Sequence, residues 1–274
     1  MQIITNINQL QQFRKELKGN VAFVPTMGAL HAGHMSLVEE AKNHAEHVIV
    51  SIFVNPLQFG ANEDLSRYPK PFERDVALLQ EAGVAGLFAP SPDILYPQGF
   101  ATIVNINNDM DKVLCGAHRT GHFAGVCTVV ALLFSLVRPD IALFGEKDWQ
   151  QLAIIKRMNA DLRLVPEIIG VPTMREADGL AMSSRNQYLS EAERKIAPTL
   201  HQVMQDIKNC ANEHNLNDLL QQGKAKILQA GFERLDYLEV RNEETLVLST
   251  TPLNSRLFVA AHLGRTRLID NIAL

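Results

Sequence analysis

Short apolar runs alternate with helical patterns through the first two thirds of the chain. Val21–Pro25 (VAFVP) and Val48–Val54 (VIVSIFV) read as strands. Neither alternates apolar with polar positions, as expected of strands covered on both faces. From Met35, MSLVEEAKNHAEH has the spacing of an amphipathic helix. After the breaks at Pro69 and Pro71, FERDVALLQEAG has it again and stops at Gly83. Gly86–Ala89 and Thr102–Ile106 are weaker strand candidates, and Gly125–Val137 reads as a buried helix stopped by Arg138-Pro139. Ile141–Gly145 is a strand, Trp149–Leu162 a helix and Glu167–Val171 another strand. Such regular alternation predicts an α/β fold, a Rossmann-like parallel sheet joined by right-handed crossovers.

Beyond Pro172 the pattern changes. Ser190 and Glu193 have the spacing of a capping box, opening a helix predicted to run to about Asn209. A second helix covers Asp218–Ala230, and three strand candidates follow: LDYLEV, RLFVAA and TRLIDNI. The expectation is a smaller α+β domain over residues 173–274, after a first domain over 1–172.

Composition narrows the classes. Of 274 residues, 46% are apolar and 20% charged, enough to build a core without disulfide or metal staples. The net charge of −4 and the lack of a basic run argue against a dedicated nucleic-acid binder. Cys115, Cys127 and Cys210 lack metal-ligand spacing and fit a reducing compartment. The opening MQIITNINQL has no basic n-region followed by an apolar h-region, so export is not expected, and the greasiest stretch, Thr128–Val137, is too short for a bilayer. These features predict a cytoplasmic enzyme.

The candidate chemistry sits where strands end. Pro25-Thr-Met-Gly-Ala-Leu-His-Ala-Gly-His34 joins the first predicted strand to its helix, the place where open α/β sheets bind ligands. Gly28 and Gly33 permit close backbone approach, and a helix N-terminus offers free N–H groups to phosphate. His31 and His34 share a face of the first turn and can both donate to a polyphosphate. His44-Ala-Glu-His47 has the same spacing without glycines, and reads as a solvated helix face. Neither pair has the third ligand that a zinc site needs.

The other segments are weaker alone. In Phe144-Gly-Glu-Lys-Asp-Trp149, Lys147 is a point charge for phosphate, and Asp148 a helix cap or a ribose acceptor; a plain helix start reads equally well. Ser183, Ser184 and Arg185 form a donor set of the kind that clamps pyrophosphate, although the segment alone reads first as a polar connecting loop. Asn55 and Gln58 offer neutral amides to a small carboxylate or hydroxyl. Arg119 and His122, in GAHRTGHF, precede the buried helix. Both pairs divide evenly between function and turn structure.

Taken together, these segments resemble the pantothenate synthetase family, ligases that join pantoate to β-alanine. PTMGALHAGH is similar to that family's form of the HIGH signature of nucleotidyltransferases. FVNPLQF, the GHF segment, FGEKDWQQL and MREADGLAMSSRNQYLS follow in the family's order over about the whole chain. The resemblance implies a Rossmann-like domain with a smaller C-terminal lid, and a homodimer. It implies that ATP meets Met27, Gly28, Ala29, Leu30, His31, Ala32, Gly33 and His34. ATP would also meet Gly145, Glu146, Lys147 and Asp148, then Met174, Met182, Ser183, Ser184 and Arg185. His34 matches the residue credited with proton donation to pyrophosphate; His31, Lys147 and Arg185 complete the implied catalytic set. Gln58 and Gln151 match pantoate contacts, Gln58 also serving β-alanine, while Mg²⁺ is held largely by phosphates and water.

Two departures stand out. The KMSKS partner of HIGH in tRNA synthetases has two lysines, whereas here Ala181 precedes Met182 and Ser184-Arg185 follow Ser183. Lys147 and Arg185 must then carry the phosphate charge, and the missing lysines argue against a tRNA synthetase. Thr120 and Ala124 replace an expected proline and an often charged residue, which bears on a local salt bridge or dimer contact rather than on chemistry. The alternatives are a nucleotidyltransferase that stops at an adenylylated product, and a silent nucleotide-binding protein.

Overall fold

Five of the strands predicted by the sequence join one further strand in a six-stranded sheet, in a computed structural model that describes residues 1–60 and 65–274. Its strands are β1 (Gln2–Ile4), β2 (Val21–Thr26), β3 (His47–Ile52), β4 (Gly86–Phe88), β5 (Ile141–Gly145) and β6 (Glu167–Val171). They lie in the order β1-β4-β3-β2-β5-β6 and every neighbouring pair is parallel. The chain moves outward from β2 through β3 to β4, then returns to place β5 on the other side of β2. Between β2 and β5 the direction of winding reverses, and there the carboxyl ends of two strands open a crevice.

The helices of this domain are α1 (Ile7–Glu16), α2 (Ala32–His44), α3 (Phe72–Glu81), α4 (Pro92–Leu95), α5 (Leu114–His118), α6 (His122–Val137) and α7 (Trp149–Leu162). Strand β2 shows why its sequence lacks polar alternation. Val21 and Phe23 join a core with Leu10 and Phe13 of α1, Phe134 of α6 and Leu152 of α7. Ala22 and Val24, on the opposite face, join Leu37 and Val38 of α2 and Leu79 of α3. Both faces are dry over Val21–Val24, so all four of those positions are apolar.

The chain then continues through α8 (Glu191–Ile196), α9 (Thr199–Cys210) and α10 (Leu216–Gln229) into β7 (Arg234–Asn242), β8 (Ser255–Leu263) and β9 (Thr266–Ala273). These three strands form an antiparallel meander. One face packs Leu257, Val259 and Ala261 against Val203, Met204 and Ile227 of α9 and α10. Tyr237, Phe258 and Ala260 on the other face enter the core of the first domain. The smaller sheet is thus sandwiched between its own helices and the larger domain.

Several expectations need correction. The helix predicted from Ser190 to about Asn209 is two helices, because Pro198 cannot donate to the ladder and clashes with the preceding turn. Thr102–Ile106 pairs with no strand among the described residues; the Val104 amide instead donates to Thr128 Oγ1 on α6, 3.0 Å away. His47 is the first residue of β3 rather than part of a helix face. Strand β1 and helix α1 were not anticipated, although Asn6 caps α1 by accepting from Gln9 N. Among the described residues no helix is long and apolar enough to cross a membrane.

Candidate active site

The loop between β2 and α2 is held from outside by one buried carboxylate. Gly28 (φ 80°) and Ala29 (φ 51°) turn the chain through left-handed backbone. Asp75 of α3 then accepts from Ala29 N at 2.7 Å and Leu30 N at 2.9 Å. A Cβ on Gly28 would stand 3.0 Å from Ile52 Cγ2 and 3.1 Å from Asp75 Oδ2, so a side chain there would crowd both neighbours on a backbone already left-handed. Burial pushes the Asp75 carboxyl upward, against the two amide bonds that pull it down. Asp75 lies in a different element from the loop it holds, and nothing in its local sequence distinguishes it from a surface acid on α3.

The loop delivers His31 and His34 to the start of α2. His31 is the N-cap and accepts from Gly33 N through Nδ1 at 3.2 Å; His34 Nδ1 accepts from His31 N at 3.3 Å. The two imidazoles thus form a reciprocal capping box, with ring centroids 4.1 Å apart. Because both Nδ1 atoms are acceptors, each neutral ring carries its proton on Nε2 and keeps that N–H as a donor. Burial lowers the pKa of His31, with Lys147 adding to the effect. His34 is brought down to about 3 by burial first and by His31 second. At neutral pH both are uncharged donors.

Across the crevice, β5 ends in the Glu146–Asp148 turn that starts α7. Lys147 Nζ and the Asp148 carboxylate have no hydrogen bond or ion pair among the described residues. Glu146 faces away from the cleft toward Arg256, 3.9 Å distant. Both neighbouring glutamines border the cleft, but Gln150 is buried and tied to Met110 O, Val113 O and Cys115 N, while Gln151 is only half-buried.

The third wall is the hairpin from Met174 to Met182. Arg175 pairs with Ala181, and Met182 N donates to Met174 O at 3.0 Å. Ser183 then caps a short turn by accepting from Arg185 N at 3.2 Å. The hairpin faces the histidine loop closely: a Cβ on Gly33 would be 3.7 Å from Met182 Cβ. Arg194 braces its far side through Glu176 and Asp178.

The floor comes from the turn after β3. Asn55 Nδ2 donates to Gln58 Oε1 (3.1 Å) and Gly125 O (3.0 Å), and its Oδ1 accepts from Leu57 N and Tyr96 Oη. All four of its bonding positions are filled by protein, so Asn55 orients Gln58 and has none left for a substrate. Gln58 Nε2 reaches Met27 Sδ at 3.0 Å. His122 Nδ1 donates to Gln58 O at 2.7 Å, and Arg119 Nη1 donates to His122 Nε2 at 2.9 Å. A Cβ on Gly125 would collide with Leu57 O at 2.2 Å, which explains the glycine at this crossing of α6.

These walls enclose a cleft of about 1040 Å³. Met27, His31, Gly33 and His34 line it, with Gln58, Gly145, Lys147, Asp148, Gln151, Met174 and Met182–Arg185. Gly28, Ala29, Leu30, Ala32 and Glu146 lie outside that lining: the amides of Ala29 and Leu30 belong to Asp75, and the Leu30 side chain is in the core.

Comparison with known proteins agrees over the full length. The family model described as pantoate-beta-alanine ligase matches residues 2–273. A pantothenate synthetase of Novosphingobium aromaticivorans is 50% identical, covering 100% of this chain and 99% of that protein. The crystal structure of pantothenate synthetase from Thermus thermophilus superposes with a TM-score of 0.92 at 44% identity, covering 100% of this chain and 99% of that one. A Francisella tularensis pantoate-beta-alanine ligase, solved with beta-gamma ATP and β-alanine, gives a TM-score of 0.85 at 36% identity, with coverages of 100% and 97%.

Proposed function

The chain belongs to the pantoate–β-alanine ligase family, and we propose that both half-reactions of that ligation take place in the cleft between its two sheets. The reaction condenses pantoate with β-alanine at the expense of ATP. In the first half, a carboxylate oxygen of pantoate attacks the α-phosphorus, the bond to the bridging oxygen breaks, and pyrophosphate leaves. In the second, the amine of β-alanine attacks the acyl carbon of pantoyl adenylate. AMP departs, the amide forms, and the amine gives up a proton.

Both steps ask for positioning and charge stabilisation, with no covalent nucleophile on the protein. We assign the polyphosphate to the space between His31 and His34 on one side and Lys147, Ser183, Ser184 and Arg185 on the other. One observation carries this assignment: both histidines spend Nδ1 on backbone amides, which leaves two neutral Nε2–H donors in a cleft with an uncommitted Lys147. His34 therefore acts as a hydrogen-bond donor to the leaving pyrophosphate. The negative charge that develops there raises its affinity for a proton as the bond breaks. Met27, Gly33, Gly145, Met174 and Met182 complete the nucleotide contacts.

Pantoate is assigned to Gln58 and Gln151, whose neutral amides orient the acid without quenching its nucleophilic carboxylate. Gln58 arrives preset by Asn55, Met27 and His122. Its amide also serves β-alanine. Magnesium belongs to this reading as the counter-ion of ATP, supplying charge neutralisation at the phosphates. The donor set fits an ion carried mainly by phosphate and water, with Asp148 as the side chain that would hold it. The same reading divides the chain into a binding domain (1–172) and a cover (173–274) that shields the adenylate from water. It also includes a cytoplasmic homodimer, which sedimentation at working concentration tests.

Incubation with ATP, pantoate and β-alanine, following AMP, tests the whole reading. The expected result is AMP release that needs both acids. Pyrophosphate without added AMP on supplying β-alanine would instead indicate an enzyme that stops at the adenylate.

A further inference from the structure

Two adjacent residues of β9 hold the two phosphate-facing loops from behind. Asn271 Nδ2 donates to Glu146 O at 2.9 Å and to Lys147 O at 2.8 Å, while its Oδ1 accepts from Arg256 Nη1 at 2.7 Å. Asp270 accepts from Arg175 twice, Oδ2 from Nη1 at 2.6 Å and Oδ1 from Nη2 at 3.0 Å. Both side chains are buried, and their polar atoms are committed to protein. Asn271 pairs with Phe258 and Asp270 with Val259, so the two side chains leave the sheet on opposite faces.

Each contact lands on the backbone or root of a loop rather than at its tip. The amide of Asn271 spans two successive carbonyls and so fixes the peptide plane that presents Lys147. The fork of Arg175 on Asp270 fixes the first strand of the hairpin, whose pairing at Ala181 and Met182 sets the direction of Ser183–Arg185. Bidentate arginine–carboxylate contacts add geometric specificity as well as energy. Arg256 completes the link from the Asn271 side, lying 3.4 Å from the centre of the Trp149 ring.

We propose that Asp270 and Asn271 are positioning residues that set the separation of the two cations of the adenylation step, Asn271 acting through Lys147 and Asp270 through Arg185. The proposal rests on the assignment of the polyphosphate to those cations. A rigid strand residue behind each loop gives a fixed reference between two walls that come from different domains. Adenylation needs that reference, because a displacement of about 1 Å at a reacting group costs up to about 10²-fold in rate.

Double-mutant cycles on the full-length protein test this, with ATP–pyrophosphate exchange in the presence of pantoate as the readout. Asn271→Ala is expected to lower exchange at subsaturating ATP by about 10- to 100-fold, and to add little once Lys147 is already alanine. Against Arg185→Ala its effect should multiply to within about twofold. Asp270→Asn should behave conversely, losing its effect in Arg185→Ala and keeping it in Lys147→Ala. A merely structural role predicts multiplicative effects with both cations, and that result overturns the proposal. If Asn271→Ala does not fold, as judged by its thermal transition, the Asp270→Asn cycle alone decides. If Lys147→Ala and Arg185→Ala each leave exchange unchanged, the polyphosphate assignment itself is wrong, a failure that is separately visible.

Discussion

The two ends of helix α2 carry histidine pairs with the same spacing of three residues, and have little else in common. At its start, His31 and His34 turn inward, cap the helix with their own rings and are kept neutral by burial. At its end, His44 is exposed beside Glu40, at 2.9 Å, and His47 has left the helix to reach Lys18 O at 2.7 Å. Spacing is equal, so spacing cannot be the cause. The difference is set by what precedes the helix: a left-handed turn at Gly28 and Ala29, anchored on Asp75, directs the first pair into the crevice. Among the described residues no buried carboxylate holds the backbone at the other end in this way. A histidine pair becomes chemical equipment when the backbone before it is fixed.

The most direct way to break this comparison is to remove the donor. His34→Ala is expected to slow adenylation by about 10²- to 10³-fold, the usual cost of losing one donor to developing charge. Single-turnover pyrophosphate release measures it. Turnover near that of the unaltered protein would put His34 on a par with His44. The next blow falls on the anchor. Asp75→Ala leaves the buried Leu30 amide without an acceptor, at about 1–3 kcal/mol, and the half-buried Ala29 amide at less. It should raise the KM for ATP about tenfold or more through misplaced histidines. Denaturant unfolding together with ATP titration checks both halves. A stability loss with unchanged ATP dependence would show that the anchor serves the fold alone.

Acid should also separate the two ends. His31 and His34 have folded pKa values below the 6.5 of an unperturbed histidine. The unfolded chain therefore binds protons first as pH falls. Their contribution is complete above about pH 6.5 and is lost progressively as pH drops toward the folded value of about 3 for His34. His34→Gln removes that titration, so its denaturant midpoint should fall less steeply between about pH 7 and about pH 4.5 than that of the unaltered protein. Equal slopes would mean that His34 is not held neutral.

Much of this organisation is legible in the sequence because it follows from local rules. Unbroken apolar runs mark strands covered on both faces, and Trp149–Leu162 and Glu167–Val171 match their predicted bounds. The crevice is legible for the same reason, since strand ends with polar turns are where α/β sheets bind. What stays hidden depends on distant contacts. Gln150 and Gln151 are indistinguishable as letters and both border the cleft, yet the amide of Gln150 is consumed by three backbone groups. Asn55 reads as a ligand for substrate until its four protein partners are counted. Asp75 and Asn271 act on loops far away in sequence, at a separation of 45 and 125 residues, and no spacing rule reaches that far.

The smallest effects belong to the far end of α2, where they have the most value as a control. His44→Ala removes one exposed i,i+4 contact with Glu40, which solvent screens and which contributes little to stability. His47→Ala removes a bond to a backbone carbonyl that water can replace, so about 0.5–1.5 kcal/mol of stability is at stake. Neither ring lines the cleft. Both variants should therefore keep kcat and the KM for ATP within about twofold, while His47→Ala loses slightly more stability than His44→Ala. Steady-state kinetics and chemical denaturation on the same preparations read the two quantities separately. If His47→Ala lowered kcat in proportion to His34→Ala, the distinction between an anchored and an unanchored pair would fail, because the only property the two residues share is the spacing.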